Sequence, residues 1–220
     1  MSKTHAMIAG GIVALISSLY VSHKVYQSRK NKVTAIVVSG PPGVGRGFII
    51  SRLLREHRDA LALCVSHTTR APRAGEIDGE HFHFVDEKTM LSMIGDDKFV
   101  ETTQIHGHMY GTSKASLAAI ASSGKTAIIE VDVHGADALK KEHPEIKMHF
   151  VFIQAPSMKD LEARIRAHDG NGDKVERRVA TALSHMQFVK DHPTLYNTII
   201  TNDDADRVYN RMVALLKRIC

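Results

Sequence analysis

An apolar run from Thr34 to Ser39 passes directly into GPPGVGRG, Gly40 to Gly47, and then into a helical stretch reaching His57. The glycines let backbone N–H groups turn inward, and the following helix adds the positive end of its dipole, so the arrangement suits an anion such as a phosphate. The usual pattern of such a loop closes on Lys and then Ser or Thr, whereas this chain has Arg46 and Gly47, followed by Phe48. Arginine keeps the charge but replaces a compact ammonium by a planar fork. Taken alone, the segment reads either as a phosphate cradle or as a tight strand-to-helix turn.

The alternation continues downstream. Ala60–Ser66, Thr126–Val133, Lys147–Gln154 and Tyr196–Thr201 are short apolar or β-branched runs separated by helical stretches. This predicts an α/β fold, a parallel five-stranded sheet flanked by helices. Two segments interrupt it. Residues 66–113 are polar and hairpin-like, with a short helix around Thr89–Ile94, and predict a small β-rich lobe. HDGNGD, His168 to Asp173, separates helices over Met158–Ala167 and Lys174–Val189 and predicts a lid over about residues 167–179. With 220 residues, 43% of them hydrophobic, the chain can bury one good core.

A formal net charge of +5 suggests a nucleic-acid binder until the charge is located. Residues 1–55 hold eight Lys or Arg and no acid, leaving 21 basic against 24 acidic side chains in the remainder, so the folded part is mildly acidic and a nucleic-acid reading loses its support. Ala6 to Ser22 is uncharged and just long enough to span a bilayer core of roughly 30 Å. Lys24, Arg29, Lys30 and Lys32 follow it. Residues 1–32 are therefore expected to form a single-pass anchor with its basic flank, holding residues 33–220 on the cytoplasmic side. A mitochondrial address is the alternative, because no acid precedes Glu56, and a secretory signal is disfavoured by the weak basic start. Two cysteines, Cys64 and Cys220, are too few for a disulfide framework, and Cys64 reads as core.

The ordered motifs GPPGVGRG, VSHTTRAPRAGEIDGEHFHFV, VETTQIHGHMYGTS and EVDVHG resemble the guanylate kinase family over residues 34–218. The resemblance implies transfer of the γ-phosphoryl group of ATP to GMP, giving ADP and GDP, with Mg²⁺ as cofactor. Gly40, Gly43, Val44, Gly45, Arg46 and Gly47, with Asn202 and Asp203 near the adenine, would then bind ATP. Ser66, Arg70, Arg73, Glu101, Tyr110, Thr112, Glu130 and Asp132 would bind GMP, with magnesium held mainly by phosphates and water near Asp132. Arg46, Arg164 and Arg178 would act in catalysis.

Chemistry gives partial independent support. Arg70 and Arg73 flank Pro72, two guanidinium forks that suit a phosphate dianion but also suit a solvated surface. Guanine offers two adjacent donors, N1–H and the 2-amino group, which one carboxylate can accept, and adenine has no such pair. Glu130 and Asp132, two apart in a strand-like run, are expected to face one side, as a functional pair or in structural ion pairs. Asn202 and Asp203 suit a helix N-cap region equally well. His81 with His83 and His106 with His108 lack the ligand pattern of a zinc site.

The chain departs from the family at Arg46, Gly47, Phe48, Phe82 (usually Tyr), Glu130 (usually Asp) and His168 (usually Arg), and in the DGNGD run. Of these, Arg46, Phe48, Phe82 and His168 favour an alternative reading as a weakened, guanylate-kinase-like binding or scaffold module, whereas Glu130 is a conservative departure. Glu101, Ser66 and Thr112 favour the enzyme.

Overall fold

The computed structural model describes residues 34–170 and 172–220. The expected anchor, Ala6 to Ser22, lies outside the described residues, and among the described residues no helix is long and apolar enough to cross a membrane.

Five parallel strands, β1 (Ala35–Ser39), β2 (Leu61–Leu63), β7 (Thr126–Glu130), β8 (Met148–Gln154) and β9 (Thr198–Thr201), are ordered β2-β7-β1-β8-β9. Strand β1 is central and fully buried from Ala35 to Ser39, so both of its faces are covered. Ala35 and Val37 belong to a cluster with Ile129, Phe150, Phe152, Leu139 and Cys64. Cys64 is therefore core, and burial pushes its thiol pKa up to about 12. Helices α1 (Arg46–Glu56), α3 (Lys114–Ser122), α4 (Val133–Glu142), α5 (Met158–Asp169), α6 (Asp173–Asp191) and α7 (Ala205–Ile219) flank this sheet.

Residues 67–113 form a second sheet, β4 (His83–Phe84), β3 (His67–Thr68), β6 (His108–Ser113) and β5 (Phe99–Ile105), in that spatial order, with α2 (Glu87–Gly95) between β4 and β5. The β5–β6 pairing shifts register between Phe99 and Glu101, so that Val100 and Glu101 are both buried although adjacent in sequence. A bulge of this kind re-aims a side chain.

Some boundaries differ from the sequence expectation for identifiable reasons. Strand β7 ends at Glu130 instead of Val133, because Asp132 caps α4, its Oδ1 accepting from the Gly135 N–H at 2.8 Å. Glu130 and Asp132 are therefore not two residues on one face of a strand. The HDGNGD loop is also shorter than expected: α5 runs on to Asp169 and α6 begins at Asp173, with Gly170 (φ 78°) and Gly172 (φ 110°) making the turn.

Candidate active site

The turn after β1 leaves its strand by a route that side chains would obstruct. A Cβ on Gly40 would lie 2.4 Å from the Ile153 carbonyl oxygen, and one on Gly43, at φ 81°, 2.6 Å from Ile165 Cγ1. Helix α1 then starts without a side-chain cap, so its first-turn N–H groups have no intrahelical acceptor and face the turn. Gly40 to Phe48 line a cleft of about 1050 Å³, together with Arg70, Arg73, Tyr110, Glu130, Asp132, Arg164, His168, Lys174, Arg177, Arg178 and His185. Cations outnumber acids on its walls, which makes it an anion site.

Arg46 does not project freely from this turn. Its Nε donates to Glu130 Oε1 at 2.9 Å, and its Nη1 to the Gly40 and Val131 carbonyls at 2.6 and 3.2 Å. The fork that was expected to reach the phosphates is thus gripped at the cleft floor, and Glu130 is its ion-pair partner. Arg70 is similarly held, by a bidentate pair with Glu76 at 2.8 and 2.9 Å, and Glu76 also accepts from the Arg73 N–H at 2.7 Å. The Arg70 guanidinium holds the Glu76 carboxyl down at about 2. Phe82, lacking the usual hydroxyl, lies under Arg70 with its centroid 5.2 Å from the guanidinium carbon, and Tyr110 packs 6.0 Å from Phe82.

Ser66, Glu101 and Thr112 are not among the residues lining the cleft but form a group of their own, with Glu101 and Thr112 buried and Ser66 half-buried. Thr112 Oγ1 donates to Glu101 Oε1 at 2.6 Å, and Ser66 Oγ lies 3.4 Å from Thr112 Oγ1. Glu101 Oε2 is buried with no hydrogen-bond partner among the described residues. Burial, reinforced by nearby Asp132, raises the Glu101 carboxyl to about 7, against the opposing Thr112 hydrogen bond. Asp132, which lines the cleft, accepts from Thr103 Oγ1, two residues beyond Glu101 on β5, at 3.4 Å.

The two residues expected near the adenine have other partners. Asn202 is buried beneath the turn, its Nδ2 donating to the Val44 carbonyl at 2.7 Å and its own carbonyl accepting from Arg164 Nη2 at 2.9 Å. Asp203 pairs with Arg207. The N-cap function that the sequence offered to this pair falls to Asp204, whose Oδ1 accepts from the Arg207 N–H at 2.8 Å.

On the side of the α5–α6 turn, Arg164 and His168 of α5 and Lys174, Arg177 and Arg178 of α6 line the cleft. Arg166 ties the two helices, bonding Glu162 at 2.7 Å and Glu176 at 3.0 Å. The paired histidines prove to be unrelated in geometry. His81 Nδ1 accepts from the Ile77 N–H, whereas His83 packs against His67 with the rings tilted by 36°; His106 is in a left-handed turn at φ 49° before β6. Among the described residues no three His, Cys, Asp or Glu side chains are grouped to hold a metal. Sequence reasoning missed Glu76, Lys174, His185 and the packing of Gly135 against Glu101. Only Glu76 left a signal, an acid three residues after Arg73.

A cationic cleft around a glycine turn, at the carboxyl end of the central parallel strand, defines an α/β protein built to bind nucleotide phosphates. The family model for guanylate kinase matches residues 32–219. Guanylate kinase 1 of Arabidopsis thaliana is 39% identical over 86% of this chain and 48% of its own length. The guanylate kinases of Schizosaccharomyces pombe and Sus scrofa are each 35% identical, over 84% and 79% of this chain and 90% and 87% of theirs. The crystal structure of guanylate kinase from Anaplasma phagocytophilum superimposes with a TM-score of 0.67 over 86% of both chains, at 24% identity. The chain belongs to the guanylate kinase family. It spans about half the length of the plant relative and about nine-tenths of the yeast one.

Proposed function

We propose that this chain is an ATP:GMP phosphotransferase. The observation that carries the reading is Glu101: a buried carboxyl with one oxygen fixed by Thr112 and the other lacking a partner, next to the Ser66 hydroxyl. An orphaned buried acceptor costs stability and persists where a ligand supplies its donors. Guanine supplies two. The GMP phosphate would then meet Arg70, Arg73 and Tyr110, with Glu76 holding the Arg70 fork in place beforehand. The β- and γ-phosphates of ATP would rest on the Gly40–Gly47 turn, held from below by Asn202. Arg164, Arg177 and Arg178 would gather around the transferred group, where positive charge stabilises the oxygens.

The acids present fit a magnesium ion that arrives on the nucleotide, not one held by protein alone. Glu130 is engaged with Arg46, Asp132 caps α4, and position 47 has no hydroxyl. When bound, magnesium would neutralise charge between the phosphates, with Asp132 ordering its water. Calorimetry tests the base reading: GMP should bind and AMP should not, and equal binding of the two would refute it.

Two observations favour a binding module instead. Arg46 is committed to three acceptors in the free protein, and the lid has His168 in place of an arginine. GMP binding without GMP-dependent ADP formation would support that alternative. We also propose that residues 6–22 tether the domain to a membrane, on the cytoplasmic side. Recovery of the full chain in the soluble fraction after cell lysis would refute the tether.

A further inference from the structure

Helix α4 carries a glycine, Gly135, in its first turn, where alanine would favour the helix more. No unusual backbone angle calls for it. Its surroundings do: a Cβ built there would lie 3.0 Å from Glu101 Oε2, 3.2 Å from Val131 Cβ and 3.4 Å from Asp132 Oδ1. The Gly135 N–H is already bonded to Asp132 Oδ1, so the backbone cannot retreat without uncapping the helix. Glu101 cannot retreat easily either, because Thr112 fixes its other oxygen at 2.6 Å and the side chain is buried. The atom that a methyl group would press on is the carboxylate oxygen that has no partner.

We propose that Gly135 determines base specificity: by carrying no side chain it leaves Glu101 Oε2 aimed at the second guanine donor. The inference rests on the reading of Glu101 as the guanine acceptor. Gly135 touches no substrate in this scheme and acts through the carboxylate as a positioning residue. Asp132 is part of the same unit, since it holds Gly135 through the helix cap and reaches Thr103 on β5.

The test compares GMP with inosine monophosphate, which keeps N1–H but lacks the 2-amino group, in the full-length wild type and in Gly135→Ala. The wild type is expected to prefer GMP. In Gly135→Ala the ratio of kcat/KM for GMP to that for inosine monophosphate should fall about tenfold, with KM for ATP unchanged within about twofold. Equal losses on the two substrates, or no loss, would overturn the proposal. A wild type that makes no distinction would instead overturn the underlying reading of Glu101. Should Gly135→Ala fail to fold, Gly135→Ala/Glu101→Asp shortens the side chain opposite the added methyl and should fold. If that pair also fails, the obstruction lies at Val131 or Asp132, and the proposal falls.

Discussion

Glu101 combines two costs, a carboxyl taken out of water and an oxygen without a donor. Its pKa near 7 gives the free protein a mixture of protonated and ionised forms at neutral pH, and only the ionised form accepts both guanine donors. GMP affinity should therefore rise by up to about tenfold per pH unit below 7 and level off above it, a slope measurable by calorimetry between pH 6 and 8.5. Arg46 invites a second prediction. Arg46→Ala should lower kcat by about 10² or more, whereas Arg46→Lys should stay within about tenfold, as measured by steady-state ADP formation. Glu101 was singled out by the family resemblance, with guanine chemistry explaining why a carboxylate would suit; its burial and its unpartnered oxygen were not legible in the sequence. The role of Gly135 was not legible, because a missing side chain leaves no mark until two elements distant in sequence are packed together. Nor was the grip of Glu130 on Arg46, which joins residues 84 apart.

Among the elements, strands were read more surely than their ends. Alternating apolar runs fix a buried parallel sheet, but the end of β7 is set by a helix cap whose competing demand on Asp132 looks, in sequence, like one more strand position. The α5–α6 connection was overestimated for a related reason. Gly, Asn and Asp signal a loop, yet two glycines at positive φ let the helices approach with three residues between them. Asn202 connects β9 to the phosphate turn. Asn202→Ala would leave the Val44 carbonyl without its buried donor, so it should cost about 1–3 kcal/mol in thermal unfolding and raise KM for ATP more than KM for GMP.

At the scale of the molecule, two buried groups pull stability in opposite directions as pH changes. Burial lowers the pKa of His185 to about 4, so its contribution is complete above the ordinary histidine value of about 6.5 and is lost as pH falls toward 4. Glu101 is raised instead, so the cost of ionising it is absent below about 4.5, grows as pH rises through about 7 and is constant above that. The two slopes offset one another between about pH 4.5 and 6.5. In Glu101→Gln only the histidine slope remains. That variant should be more stable than wild type at pH 8 by about 1–3 kcal/mol, and so unfold at a higher temperature, with the difference vanishing near pH 4.5 and GMP binding lost throughout. Equal Tm values at pH 8 would remove the strain assigned to Glu101.

Phosphoryl transfer to a guanine nucleotide must here proceed in a site where Arg46 is gripped and His168 lines the cleft. A coupled assay of ADP formation, with purified full-length chain, ATP and magnesium, tests it most directly. ADP formation that requires GMP and is absent with AMP is the predicted result. No ADP above background with GMP, from protein that binds GMP in calorimetry, would contradict it.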